Sequence, residues 1–362
     1  MSSVLQRGWN NRITITTRLE TSPVSTDTNH SNWAIYDSVN LRDEQMSTND
    51  SVYSAARDGN IDAVISAISS GPVDLDYISW LAVGAAAGGH KDIVDAMIER
   101  GAKNFEEIAS TAAMEGRRDI LNAMIERGVK NFDQIAWRAT LYGYKDIIEA
   151  MIERGAKNFD EIACWAAKRD HKDIIGAMIE RGAKNFDEIA CWAARNGHKE
   201  VVDYMIERGA TNVDQIACWA AGCGHQDVIE AMIDKGAKDF RMIAIEASKD
   251  GYMNIIEEMI GRGVRCFGDI AYWAARNGHK DIVDAMVKRG TKMIDEIACS
   301  AAEGGYKDIV DQMIELGAKD FDGIAQAAAD GGHKTIVDAM IERGAKVFND
   351  KPSEGEHEDM AD

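Results

Sequence analysis

Residues 155–181 read GAKNFDEIACWAAKRDHKDIIGAMIER, and residues 182–194 repeat the first thirteen letters without change. The glycine before the second half of this unit recurs every 27 residues, with Asp170 in one place: Gly89, Gly116, Gly143, Gly197, Gly224, Gly251, Gly278, Gly305 and Gly332. Self-similarity at a fixed period of about 20 to 50 residues is the signature of a solenoid or a similar array. The repeat therefore determines the fold class.

Methionine keeps the same register, because ten of the 17 methionines occupy one position of the repeat: Met97, Met124, Met151, Met178, Met205, Met232, Met259, Met286, Met313 and Met340. Methionine is an adaptable filler of apolar cores. This row predicts a continuous buried seam rather than a ladder of soft metal ligands.

Each unit is predicted to form two short helices. Asn158 and Glu161 are spaced as a variant of the capping box at the start of the first helix, and Ile162 and Ala163 begin its apolar face. The second helix follows His171, with Asp173 in the first turn, where a carboxylate is favoured by the helix dipole. Gly182 closes it, since glycine accepts the left-handed conformation common at helix ends.

Helices this short are marginal in isolation, so neighbouring units must stabilise them by stacking. We expect an all-α solenoid of helical hairpins over residues 51–346, with a degenerate cap at 51–71 followed by about ten repeats. Residues 1–50 are rich in Ser, Thr and Asn and are expected to be disordered, and residues 347–362 form an acidic tail.

The net charge of −20 and the pI of about 4.8 argue against nucleic acid and anionic membranes as partners, since both are bound through clustered Lys and Arg. The sequence contains no run of about 18 apolar residues, so no transmembrane helix is expected. The N-terminus lacks the apolar core of a secretory signal. Six cysteines without framework spacing indicate a reducing compartment. We expect an intracellular protein, most simply cytoplasmic.

The stretch AARNGHKEVVDYMIERGA at residues 193–210 resembles the central part of an ankyrin repeat. The units depart from that family because they run 27 residues rather than about 33 and lack the Thr-Pro-Leu-His turn. The resemblance implies a solenoid without the β-hairpin finger, so contacts made by that finger are not carried over. Long arrays of such near-identical units resemble the repeat families of large DNA viruses and of some intracellular bacteria, which implies a host protein as partner and the host cytoplasm as location.

Histidine and cysteine rows do not predict catalysis, a metal or a cofactor. One histidine per unit, as in His171 and His198, cannot share an ion, because metal–nitrogen bonds are about 2.0 Å long whereas packed helices lie about 8 to 10 Å apart. We expect these side chains to hydrogen-bond in the turn between their own two helices. Nothing distinguishes Cys164 from its copies as a nucleophile. The sequence predicts no enzyme and no small-molecule substrate.

Two sets of positions vary freely between repeats and are therefore not required for stacking. One is the pair that contains Lys168 and Arg169, and the other is the row that contains Trp165. In ankyrin repeats the positions matching Lys168 and Arg169 look toward the concave face and often touch partners. Since tryptophan and arginine are enriched in interface hot spots, the candidate partner-binding residues are Trp165, Trp192, Trp219, Trp273, Lys168, Arg169, Arg195 and Arg276. The alternative is that each tryptophan packs across the groove onto its neighbour.

The favoured function is a non-enzymatic scaffold that binds a protein on the concave face of the array. The alternative, left open by the sequence, is a structural or assembly component in which the array is a spacer and the termini make the contacts.

Overall fold

The computed structural model describes residues 48–69 and 74–346, and within them the chain forms 22 helices and no strand. The helices alternate between two layers. The odd-numbered ones are α1 Thr48–Asp58, α3 Leu75–Gly88, α5 Phe105–Met114, α7 Phe132–Thr140, α9 Phe159–Ala167, α11 Phe186–Arg195, α13 Val213–Ala221, α15 Phe240–Lys249, α17 Phe267–Arg276, α19 Ile294–Gly304 and α21 Phe321–Asp330. The even-numbered ones are α2 Ile61–Ser69, α4 Lys91–Glu99, α6 Arg118–Glu126, α8 Lys145–Glu153, α10 Lys172–Glu180, α12 Lys199–Arg208, α14 Gln226–Asp234, α16 Met253–Gly261, α18 Lys280–Lys288, α20 Lys307–Glu315 and α22 Lys334–Glu342.

Each odd-numbered helix packs against the next even-numbered helix to form a hairpin, and the hairpins stack in chain order. The predicted all-α solenoid is confirmed. Helix α1 begins at Thr48, inside the segment expected to be disordered. The remainder of that segment and the acidic tail lie outside the described residues.

The odd-numbered helices stack directly on one another, whereas neighbouring even-numbered helices barely touch. The reason is the row of small side chains predicted from the repeat: Ala163, Ala166 and Ala167 of α9 are fully buried, as are their counterparts in α11. Alanine lets two helix backbones approach closely. The odd-numbered helices therefore form one continuous layer. The variable rows of neighbouring repeats lie side by side on it.

Isoleucine and methionine fill the space between the two layers. Ile162 of α9 and Ile175 and Met178 of α10 are at most 1% exposed, and the same positions are buried along the array. Gly182 follows α10 with a backbone φ of 111°, which confirms the predicted left-handed helix end.

The capping prediction needs correction. The Asn158 side chain caps no backbone N–H of α9 and instead donates its amide to Glu161, with Nδ2 3.2 Å from Oε2. The neighbouring carboxylate binds the next repeat: Asp160 Oδ1 accepts from the backbone N–H groups of Lys184 at 2.6 Å and Asn185 at 2.8 Å. The row of aspartates thus links successive units, because each reaches the loop that opens the following helix.

The histidines had been expected to hydrogen-bond in the turn between their own two helices. They hydrogen-bond to the preceding repeat instead. The ring of His198 bonds through Nε2 to the carbonyl oxygen of Lys168 at 3.2 Å, and His225 bonds in the same way to that of Arg195 at 3.1 Å. The same ring covers the turn of the preceding unit: a Cβ at Gly197 would lie 2.6 Å from Nδ1 of His225. This contact and the positive φ together explain the glycine row.

Candidate functional site

The candidate tryptophans lie on the exposed face of the odd-numbered layer. Trp165 belongs to α9, Trp192 to α11, Trp219 to α13 and Trp273 to α17, and each is half-buried. Residues three and four apart share one face of a helix. Each tryptophan is therefore preceded, one turn earlier, by a side chain that is mostly acidic or an amide, such as Glu161 before Trp165. One turn later it is followed by the row that contains Lys168. Stacking then aligns these rows across several repeats.

A cation lies between the rings of successive repeats. The Lys168 ammonium nitrogen is 3.7 Å from the ring centroid of Trp165 and 3.8 Å from that of Trp192. Arg195 repeats the arrangement more loosely, with Cζ 5.7 Å from the Trp192 centroid and 5.5 Å from that of Trp219. These distances fall within the range of attractive cation–π contacts. We call Trp165, Lys168, Trp192, Arg195 and Trp219 the Trp–cation ladder.

Some of the rings also contact each other. Trp192 and Trp219 meet edge to face at 5.3 Å between centroids. Trp165 stacks on Trp137 at 5.1 Å with an interplanar angle of 21°. The alternative prediction, that tryptophans pack onto their neighbours, therefore describes these pairs, while the ladder rings keep part of their surface exposed.

Trp137 was not among the predicted site residues. It occupies the position held by cysteine in four other repeats and is 8% exposed. Trp137 thus stands one position before the tryptophan row, and Arg138, whose guanidinium lies 4.7 Å from its ring, occupies the tryptophan row itself. Comparing residue types rather than aligned positions would have found it.

Trp273 and Arg276 are placed apart from the ladder. Glu246 stands in the tryptophan row between them and Trp219. Lys249 and Arg276 both lie over the Trp273 ring, at 4.7 and 5.9 Å. Each of these cations is neutralised by a carboxylate, since Lys249 pairs with Glu246 at 2.7 Å and Arg276 pairs with Glu303. The two predicted residues form a second, internally balanced cluster.

Arg169 extends from the turn after α9 and is exposed. Within residues 48–69 and 74–346 it makes no ion pair and no ring contact, so it lies beside the ladder rather than in it. Of the eight predicted residues, the structure therefore brings five together, leaves Arg169 adjacent and separates Trp273 with Arg276.

The face is electrically polarised. Glu161 and Glu188, one helical turn before the ladder tryptophans, receive the amides of Asn158 at 3.2 Å and Asn185 at 3.4 Å. These bonds hold the carboxylates toward the N-terminal ends of the helices. Lys168 and Arg195 lie at the C-terminal ends, where a positive charge is favoured by the helix dipole. Negative and positive edges therefore flank the rings.

The cysteine row beneath this face lies mostly in the core. Burial raises the pKa of the Cys164 thiol well above its usual range, with added effects from nearby Glu188 and Asp160. Burial likewise raises the pKa of Cys191 and of Cys218 to about 12. A nucleophilic cysteine needs the opposite shift. The row packs the odd-numbered helices together.

Two further searches concern the described residues alone. Among them, no three His, Cys, Asp or Glu side chains are grouped closely enough to hold a metal ion. None of their helices has the length and apolar character needed to cross a membrane.

Residues 163–243 match the family model of ankyrin repeats in three copies, which is less than half of the 362 residues. The ankyrin resemblance is thus shown for the part of the array that contains Trp165, Trp192 and Trp219. No curated protein sequence matches the chain.

Solved structures with a similar arrangement include a pentatricopeptide repeat protein from maize, at 12% identity and a TM-score of 0.34. The same protein in complex with an 18-nt RNA element matches at 14% identity and a TM-score of 0.31. In both comparisons 82% of this chain is covered, and the chain spans 58% of the length of the structure it matches.

The prediction that nucleic acid is excluded as a partner is wrong. Structures similar to this chain include a repeat protein crystallised with RNA, so the net charge and the fold together do not remove that class of partner. At these TM-scores the likeness carries no argument for RNA binding by this chain.

Proposed function

We propose that the chain is a non-enzymatic scaffold that binds a protein partner on the exposed face of its odd-helix layer, centred on the Trp–cation ladder. The observation that supports it is the row of half-buried tryptophans flanked by cations on a face that the fold itself leaves open. Large aromatic and arginine side chains at the centre of a surface are the usual hot spots of protein interfaces.

The ladder tryptophans are not needed to build the repeat. The same position holds Thr111 in α5, Glu246 in α15 and Ala327 in α21, and each of these helices forms and stacks like the others. A side chain that folding does not require, placed in consecutive repeats on an open face, supports a role in binding.

An intracellular location is part of the proposal. All six cysteines are free thiols, and none of them forms a disulfide. Free thiols persist in reducing compartments. A partner from the same compartment is therefore sought first.

The test replaces Trp165, Trp192 and Trp219 with alanine and compares capture of proteins from the source cell by the immobilised wild type and variant, read by mass spectrometry. We expect the specific partner to be lost while the far-ultraviolet circular dichroism is retained. Trp80→Ala is the matched control, because Trp80 is 38% exposed on α3, outside the ladder. A partner retained by the triple variant would contradict the proposal.

A companion deletion separates the assembly role. Removing residues 1–47, which ends just before α1, or residues 347–362 should leave partner capture intact. Loss of all association in either deletion would assign the contacts to the termini and overturn the scaffold proposal.

A further inference from the structure

We propose that the loop joining α16 to α17 holds a binding site for an oxyanion group, a carboxylate or a phosphate. The site consists of the backbone N–H groups of Arg265 and Cys266 and the side chains of Lys238, Arg241 and Arg265, and is called the Arg241 site. It lies outside the Trp–cation ladder and is independent of the scaffold proposal. One departure from the repeat, the arginine at position 241, is the observation that leads to it.

The equivalent loop binds a carboxylate at five other junctions between repeats. There an aspartate at the second position of an odd-numbered helix accepts hydrogen bonds from the backbone N–H groups 24 and 25 residues later, at 2.5 to 2.9 Å. The five are Asp133, Asp160, Asp187, Asp214 and Asp295. The two N–H groups of this loop therefore form a binding site for a carboxylate oxygen, which the preceding repeat usually supplies.

Arg241 occupies the aspartate position in α15, so the loop of Arg265 and Cys266 receives no carboxylate from the preceding repeat. Among the described residues, the N–H of Arg265 has no hydrogen-bond acceptor. The N–H of Cys266 has only the sulfur of its own side chain, and sulfur is a weak acceptor. Two donors that are satisfied at the other five junctions are thus open to a ligand.

Other residues in the aspartate row do not create the same situation. Gly268 holds the position in α17, and there the Thr291 hydroxyl accepts from the N–H of Met293 at 3.4 Å. Glu106 keeps a carboxylate in α5. Arg241 is the one residue of the row that replaces the carboxylate with a positive charge.

The Arg241 guanidinium lies beside the open donors. It donates to Asp269, with Nη2 2.9 Å from Oδ2, and it also hydrogen-bonds to the thiol of Cys266. The second contact places it next to the Cys266 backbone. Asp269 balances the charge of Arg241, but a guanidinium has five N–H donors, and these two bonds leave others for a further oxygen.

Unbalanced positive charge at the site comes from Lys238 and Arg265, which line the same depression as Arg241. Neither forms an ion pair within the part of the chain that the structure describes. Arg265 Nη1 donates to the carbonyl oxygens of Ile260 at 2.9 Å and Val264 at 2.7 Å. These bonds hold the guanidinium at the loop, and a neutral carbonyl leaves its charge in place.

The residues that line the depression supply no free anion. Asp239 is the one acidic residue among them, and its Oδ1 accepts from the N–H of Met242 at 3.0 Å as the cap of α15. Arg262, a further lining residue, is paired with Glu258 at 2.9 Å. Burial raises the pKa of the Cys266 thiol above its usual range, so this side chain is neutral at physiological pH. An anion from outside the chain therefore completes the site.

Carboxylates and phosphates share the chemistry that these groups recognise. Each presents at least two oxygens, and arginine binds both groups through paired N–H···O bonds. One oxygen takes the place that the aspartate Oδ1 holds at the other junctions, between the N–H groups of Arg265 and Cys266. A second oxygen accepts from Arg241.

The experiment labels the full chain with 15N-cysteine, so that the N–H of Cys266 is observed by NMR among six cysteine amides. Its resonance is assigned by its loss in Cys266→Ser. Inorganic phosphate and N-acetylaspartate methylamide are titrated at constant ionic strength, with N-acetylasparagine methylamide as the neutral control. We expect a saturable downfield shift of the Cys266 proton with at least one of the two anions and none with the control. The anion that binds more tightly identifies the source of the oxyanion.

Substitutions at Arg241 make the test specific. Arg241→Asp restores the acceptor found at the other junctions, so the Cys266 resonance should begin at its shifted position and no longer respond. Arg241→Ala leaves the N–H groups open without the guanidinium and should weaken anion binding about tenfold. Arg181→Ala is the matched control, because Asp160 already occupies the loop that follows it, and should change nothing. Circular dichroism checks that each variant folds.

Three results would overturn the inference: no response of Cys266 to either anion, an equal response of all six cysteine resonances, or an unchanged response in Arg241→Asp. Each would leave the scaffold proposal untouched, since that proposal is tested through the triple tryptophan variant.

Discussion

Nε2 of His225 lies 3.1 Å from the carbonyl oxygen of Arg195, thirty residues earlier in the chain. His279 and His333 make the same bond to Lys249 at 3.0 Å and Glu303 at 3.1 Å. The last carbonyls of a helix have no partner within it, and here the following repeat supplies one. Each of these carbonyls, at the C-terminal end of an odd-numbered helix, is therefore satisfied by a histidine side chain from the next repeat.

His225→Ala is expected to lower the free energy of unfolding by about 1 kcal/mol more than His171→Ala. Both rings cover the glycine of the preceding turn, but Nε2 of His171 is buried without a hydrogen-bond partner. The difference between the two variants isolates the bond to Arg195. Urea unfolding followed by circular dichroism measures it, and equal losses would show that ring packing alone matters.

Asp160→Ala should destabilise the junction of α9 with α11 by about 1 kcal/mol, because two backbone N–H groups of the next repeat lose their acceptor. Asp160→Asn keeps one acceptor oxygen and should lose less. Hydrogen exchange at the amides of Lys184 and Asn185 reports the change directly. Unaltered protection of those two amides in the alanine variant would contradict the assignment.

Asp170→Gly is expected to stabilise the protein. Among described non-glycine residues, Asp170 alone has a positive φ, of 60°. A left-handed conformation costs an L-residue about 1 to 2 kcal/mol, and the extra freedom of glycine in the unfolded chain offsets about 0.5 to 1 kcal/mol of the gain. A net increase of about 0.5 kcal/mol should raise the unfolding midpoint. Gly197→Ala, which meets the His225 ring, should lower it.

Stability should fall as the pH rises above about 8.5, where thiols of the unfolded chain ionise. Cys191 and Cys218 keep their protons up to a pKa of about 12 in the folded protein, chiefly because they are buried. The folded state thus holds protons that the unfolded state releases, and the loss continues until about pH 12. Urea unfolding at pH 7.5 and 10 measures the slope. Cys191→Ala should make the dependence shallower, and an unchanged slope would exclude this thiol as a contributor.

The fold could be predicted because its determinants are periodic. The rows of Ile162, Ala163 and Met178 show the core, and Gly182 shows where a helix ends. The bond that the backbone N–H of Lys184 donates to Asp160 was missed because a carboxylate at a helix start is ordinarily explained by that helix. Finding it requires the spacing between neighbouring units, which no single unit contains.

The candidate site was predicted in part for the same reason. Trp165, Trp192 and Trp219 stood out because they depart from rows that folding constrains. That the Lys168 ammonium lies between two rings depends on how closely α9 and α11 approach. Trp137 was missed because it lies one position before the row that holds tryptophan in the other repeats. Glu246 and Glu303, which balance the second cluster, reveal their role only once the neighbours of Lys249 and Arg276 are known.

The bonds that join the units through an aspartate and a backbone N–H, or through a histidine and a backbone carbonyl, connect residues 24, 25 or 30 positions apart. Removing or duplicating one whole 27-residue unit therefore recreates every such bond with an equivalent neighbour. The array can consequently gain or lose length in whole units without the need for a new kind of contact between repeats.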